Sequence, residues 1–245
     1  MLAAALLTYF VWLEVHERSP LLDVSLFRHF AFSAGNLAGL LSYAVLFGMF
    51  FLLPFVFERS YGATSLGAGL RLSVIPVALG CMAQLSGGLS DRLGPRWLTV
   101  GSMLVTFMGL ALLFPTLDGS ANRLWLVTVA LVVFGLGQGL FTAPNNSTVM
   151  GVASAEETGQ AGGVLNVMRS FGMSVGIAIA SAVLSWQLAL LTGRSGDTLH
   201  APRHDLLAAA HVVIEVFLVS TLLAAAASLI GSRDAGSSRQ IIPPA

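Results

Sequence analysis

The feature that most limits what this chain can become is a series of six long apolar runs almost free of charge. Ala31 to Phe57, Trp97 to Leu117 and Leu124 to Ala155 carry no charged residue. Ser65 to Ser90 carries only Arg71, Gly159 to Thr192 only Arg169, and Leu206 to Ser232 only Glu215. Each run exceeds the ~18 to 20 apolar residues that a helix needs to cross the hydrocarbon core of a bilayer. The runs are continuous, so the alternating ~10-residue strands of a membrane barrel do not fit them. The expected fold is an all-α membrane protein, a six-helix transmembrane bundle over residues 31–232. Composition agrees: 56% of the 245 residues are hydrophobic and 10% are charged. A soluble domain carries about 25% charged residues, so this chain lacks the polar surface to face water.

The flanks read differently. Met1–Leu13 is apolar but falls short of the ~20 residues of a full span, and reads as the end of a truncated transmembrane helix. Residues 14–30 form a polar, cytoplasmic or interfacial linker, and residues 233–245, rich in Gly, Ser and Pro, a disordered cytoplasmic tail. Counting arginines on alternate sides puts Arg18, Arg28, Arg92, Arg96, Arg233 and Arg239 against Arg59, Arg123, Arg194 and Arg203. The positive-inside rule then places both ends of the bundle, and the Asp91–Arg96 loop, in the cytoplasm.

Several function classes drop out. Twelve basic and twelve acidic residues cancel, leaving no basic surface for a nucleic-acid partner. Cys81 is the only cysteine and the five histidines form no Cys/His cluster, so no metal-site spacing is present. No paired acids or nucleophile–base constellation lies at membrane depth, which argues against an enzyme. The short loops argue against a receptor or scaffold.

Within the runs, Gly35/Gly39, Gly135/Gly139 and Gly172/Gly176 are small-xxx-small pairs that let helix backbones approach closely. Pro54, Pro76 and Pro144 lie where they would kink helices and free carbonyls. Between the second and third runs stands Gly87-Gly-Leu-Ser-Asp91-Arg92-Leu-Gly94-Pro-Arg96-Trp97. Gly94 permits a tight reversal. Asp91 is expected to accept backbone N–H groups at the start of the next helix, and Arg92 and Arg96 to anchor the loop among anionic headgroups.

This segment resembles the signature loop of major facilitator superfamily transporters, found between the second and third helices of each half. The resemblance covers nearly the whole chain. Pro20-Leu-Leu-Asp-Val-Ser-Leu-Phe27-Arg28 is similar to the approach to the C-terminal six-helix domain. Gly135-Leu-Gly-Gln138-Gly139-Leu-Phe-Thr-Ala-Pro144 and Gly159-Gln-Ala-Gly-Gly-Val-Leu-Asn166-Val-Met-Arg169-Ser-Phe-Gly172 match the fourth and fifth helices. Together they resemble the C-terminal half of the fourteen-helix drug:proton antiporter branch. Trp97 departs from the pattern, standing where that loop carries a second basic residue. The resemblance implies export of small organic, drug-like molecules across the plasma (inner) membrane, with the proton gradient as energy source and no cofactor. It also implies alternating access against an N-terminal half as partner. A half-transporter that exports a metabolite or lipid, or a fragment that does not transport, is the competing reading.

Ionisable and polar groups at membrane depth are candidate pathway residues. Arg169 shares a helix face with Asn166, Gly172 and Gly176, and either faces a cavity or bonds loop carbonyls at the cytoplasmic rim. Arg71 either serves the pathway or snorkels to the outer headgroups. Glu215 lies one turn after His211 on a shared face; the pair is either a proton-carrying site or a rim contact. Asn36, Gln84, Gln138 and Asn166 either hydrogen-bond substrate or hold helices together.

Overall fold

The computed structural model describes residues 24–192 and 202–237. Residues 1–13, most of the expected linker and the end of the expected tail lie outside them. A 3₁₀ turn, Val24–Arg28, leads into α1 (Phe30–Ser60). There follow α2 (Ser65–Leu72), α3 (Val74–Leu93), α4 (Pro95–Thr116), α5 (Leu124–Met150), α6 (Thr158–Thr192) and α7 (Arg203–Ser237). With α2 and α3 taken together these give six helices long and apolar enough to cross a membrane. No strand occurs among the described residues. In hydrocarbon, backbone N–H and C=O groups have no water to bond, and a helix satisfies them within the segment. The 31 residues of α1 reach about 46 Å at 1.5 Å per residue, well beyond the ~30 Å core.

Three boundaries differ from the expectation. α5 stops at Met150, five residues before Ala155. There Ser154 and Glu157 form a reciprocal cap at the start of α6, Ser154 N donating to Glu157 Oε2 (2.9 Å) and Glu157 N to Ser154 Oγ (3.3 Å), as capping boxes do. α7 runs to Ser237, into the expected tail. The second span is broken at Ser73. Pro76 has no N–H for the Leu72 carbonyl and its ring crowds that turn, while Ser73 Oγ caps Leu70 O at 2.7 Å. Pro54 and Pro144, by contrast, sit inside helices that continue past them.

The helices form two groups of three. α1 packs against α6 and α7; α5 packs against α3 and α4; α1 meets α5, and α4 meets α7. Exchanging each span for the one three places along maps this pattern onto itself. Because three is odd, the second group enters the membrane from the opposite side, so the bundle is an inverted repeat. Two of the glycine pairs set close seams. Gly172 and Gly176 lie against the carbonyls of Leu40 and Ala44, and Gly135 and Gly139 against those of Ile75 and Leu79. Gly35 and Gly39 make room for the side chains of Val149 and Asn145. The central core is Val45, Met49, Leu52, Leu53, Phe134 and Phe217, all nearly or wholly buried.

Candidate functional site

The reversal between α3 and α4 turns on Gly94, whose φ of 81° and ψ of 143° suit a residue without Cβ. Gly94 N donates to Ser90 O at 2.9 Å, and Pro95 opens α4 with the φ that helix starts need. Asp91 lies elsewhere than the sequence suggested. α3 runs on to Leu93, so Asp91 stands exposed in its last turn, and α4 has no side-chain cap. Arg92 and Gly87 are also exposed. Arg96 is half-buried, its guanidinium 5.4 Å from the Trp97 ring centroid and its Nε without a partner.

A polar cleft lies between α1, α5 and α6. Its walls carry Asn36, Tyr43, Thr142, Asn145, Asn146 and Arg169, backed by Leu40, Phe141 and Met168. The enclosed space is about 10 Å³, enough for one water. Asn36 is 2% exposed; its Nδ2 donates to Phe32 O at 2.9 Å, and its Oδ1 has no partner. Arg169 stacks on Tyr43, 5.1 Å from the ring centroid, and its buried Nε is also unpaired. No ion pair reaches Arg169 from the described residues. A guanidinium stays charged in proteins, so this cleft holds one fixed positive charge, several amide and hydroxyl dipoles, and no carboxylate among its lining residues.

The other candidates do not line this cleft. Gln138 is 3% exposed and ties α5 to α1: Ser42 Oγ donates to its Oε1 at 2.8 Å, and its Nε2 donates to Ser42 O at 3.4 Å. Asn166 is exposed, away from the seam that buries Gly172 and Gly176. Arg71 is half-buried in the last turn of α2, where Nη1 reaches Gly67 O at 3.5 Å. His211 and Glu215 share α7 but do not meet. The imidazole turns toward α4, with Nδ1 2.7 Å from Leu207 O and Nε2 2.7 Å from Phe114 O, and stacks edge-on against the Phe114 ring. Glu215 is exposed.

At the opposite end of the bundle from the α3–α4 reversal, Tyr61 pins the α4–α5 loop. Its hydroxyl donates to Thr116 O at 3.4 Å and accepts from Gly119 N at 3.1 Å. Burial pushes its pKa above the usual phenol value, and Asp118 nearby adds to that; the Gly119 bond and Arg203 pull the other way.

Tyr43, Thr142, Asn145 and Asn146 were not among the residues expected from the sequence, where the uncharged candidates were Asn36, Gln84, Gln138 and Asn166. The available signal was Pro144-Asn145-Asn146, two adjacent amides in an otherwise apolar helix. Among the described residues, no three His, Cys, Asp or Glu side chains cluster as metal ligands would.

Comparison with known proteins points one way. Residues 1–196 match the model of the Major Facilitator Superfamily. The chain is 31% identical over 175 residues to the riboflavin transporter RibZ of Clostridioides difficile, covering 71% of this chain and 38% of that protein. It is 33% identical over 190 residues to the methylenomycin A resistance protein of Streptomyces coelicolor, covering 74% and 37%. It is 26% identical over 230 residues to the drug efflux pump JefA of Mycobacterium tuberculosis, covering 94% and 44%. The chain thus spans less than half the length of each of these relatives. An all-helical bundle of six spans, joined through glycine seams and matched over four-fifths of its length, belongs to the Major Facilitator Superfamily, a family of membrane transporters rather than enzymes, and is similar to its drug-efflux members.

Proposed function

We propose that this chain acts as the C-terminal half of a transporter that exports small organic molecules in exchange for protons, joined to an N-terminal six-helix half. The observation that carries the reading is the cleft between α1, α5 and α6. Arg169 Nε and Asn36 Oδ1 are buried there without partners, and a desolvated donor and acceptor left open are costly unless something completes them. A substrate group presenting both a donor and an acceptor would do so. The open sides of α3 and α6 suit the alternating-access partner: α3 buries only Ile75, Ala78 and Ser86, and α6 only seven of its 35 residues. On this reading both ends of the bundle and the α3–α4 loop face the cytoplasm at the plasma membrane, as the arginine count favours.

Similarity to a riboflavin transporter supports a second substrate class, a metabolite with a planar ring system. The test is efflux from cells that express this chain together with an N-terminal half. Loss of ethidium export on adding a protonophore, and on Arg169→Gln, is the expected result. Export that persists when the proton gradient is collapsed would refute proton antiport. Absence of movement of both ethidium and riboflavin would refute the transport reading itself.

A further inference from the structure

A second cavity lies apart from the polar cleft, on the flank of α3 and α5. It is an open groove of about 410 Å³, lined by Met82, Leu85, Gly88, Leu89 and Arg92 of α3 and by Leu140 of α5. That volume falls within the ~300–1,000 Å³ typical of small-ligand sites. Residues 82, 85, 88, 89 and 92 recur at steps of three and four, so they make one stripe along the helix. The stripe is apolar except at its end, where Arg92 lies one residue before the helix stops at Leu93.

Depth identifies what such a groove would hold. Trp97 is 64% exposed, with the Arg96 guanidinium stacked over it, and exposed Trp beside Arg marks the headgroup level of a bilayer. Arg92 is at that level. Met82, ten residues deeper, is about 15 Å away along the axis, half of the ~30 Å hydrocarbon core. The groove therefore runs from headgroup depth to mid-membrane, the length of one leaflet, with its only charge at the mouth. Asp91, the neighbouring acid, is exposed and outside the lining. Basic pockets between helices recruit anionic lipid headgroups. We infer that this groove is a binding site for one phospholipid with an anionic headgroup, its acyl chain along Met82, Leu85, Leu89 and Leu140 and its phosphate on Arg92.

Gly88 supplies an independent handle. A Cβ there would meet nothing within 4 Å, so a larger side chain can start from this position into the groove. The test is native mass spectrometry of the full chain in mild detergent with equimolar phosphatidylglycerol and phosphatidylcholine. One arginine near the surface is worth ~1 kcal/mol toward an anionic lipid, so bound phosphatidylglycerol should exceed phosphatidylcholine about fivefold. Arg92→Gln should bring the ratio near one while total bound lipid stays. Gly88→Phe should lower both, with helical content unchanged by circular dichroism. Equal binding of the two lipids by the unaltered chain would overturn the assignment, as would a preference that survives Arg92→Gln. Displacement of phosphatidylglycerol by equimolar glycerol phosphate would also overturn it, by showing a site for a free anion. The comparison in the unaltered chain and the Gly88 variant decide the question even if Arg92→Gln fails to fold.

Discussion

The seam between α1 and α6 should tolerate no methyl group at Gly176. A Cβ there would lie 2.6 Å from both the carbonyl carbon and the Cα of Ala44, and closer still to the carbonyl oxygen. The obstacle is backbone, which cannot rotate aside as a side-chain tip can. Overpacking of this kind costs about 1–3 kcal/mol. Against backbone the upper part of that range applies, about 2–3 kcal/mol; exchanging Gly for Ala in a helix returns about 1 kcal/mol, so the net loss for Gly176→Ala is about 1–2 kcal/mol. At roughly 2–4 °C per kcal/mol for a chain of this size, Tm should fall by about 2–8 °C. Gly101 on α4 is the control, because a Cβ there meets nothing within 4 Å; only the helix preference acts, and Gly101→Ala should raise Tm by about 2–4 °C. Thermal unfolding in detergent, followed by tryptophan fluorescence, compares the pair directly. If the two variants shift in the same direction, the seam is not set by backbone contact and the reasoning is wrong.

The remaining expectations concern single contacts. Gln138→Leu removes both bonds to Ser42 and should cost about 0.6–1.7 kcal/mol, the range for interhelical hydrogen bonds in membranes; an unchanged midpoint in denaturant titration would show that the contact is neutral. Tyr61→Phe should cost about 1 kcal/mol by freeing Gly119 N and Thr116 O, read as faster proteolysis of the 117–123 loop. Because the Tyr61 pKa is raised on folding, its contribution is fully present below about pH 10, the unfolded value, and is lost as pH rises through the higher folded one. The alkaline limb of a stability–pH curve should therefore flatten in Tyr61→Phe; a limb identical to that of the parent chain would contradict this. His211→Phe keeps the stacking on Phe114 but loses both carbonyl contacts, and should loosen α7 from the end of α4, raising hydrogen exchange there.

What the sequence disclosed and what it hid follow from one property of the solvent. Length against bilayer thickness located all six spans to within a few residues at most ends, because a crossing helix cannot be shorter than the core it crosses. Which faces pack was far less legible. The first span has mean hydropathy 2.3 with 56% of its window buried, and the sixth has the same hydropathy with 39% buried; the second and fifth, at 1.7 and 1.8, bury 17% and 22%. A leucine against lipid and a leucine against protein look alike to a transfer scale, since lipid is as apolar as the core. Packing was legible only through glycine, where geometry rather than polarity decides: Gly135, Gly139, Gly172 and Gly176 all meet backbone.

The same argument explains the side chains that were misjudged. An i,i+4 spacing sets His211 and Glu215 about 40° apart around α7, and only the tertiary position of α4 turns the first inward and leaves the second exposed. Asp91 was expected at a helix start, yet the reversal residue Gly94 fixes the break three positions later, and a cap cannot act from inside the preceding helix. Asn36 was among the amides expected to bond substrate or a neighbouring helix and Asn145 was not, although burial makes an unpaired amide nearly as informative as an ion. In a bilayer, the residues that carry function are those whose polarity has no local reason. By that criterion Asn36 and Arg169, each with a buried polar atom left open on one cleft, are stronger candidates for the proposed pathway than Glu215, Arg71 and Gln138. Substitutions at Asn36 and Arg169 should therefore impair transport at least tenfold while shifting Tm little, whereas Gln138→Leu should do the reverse.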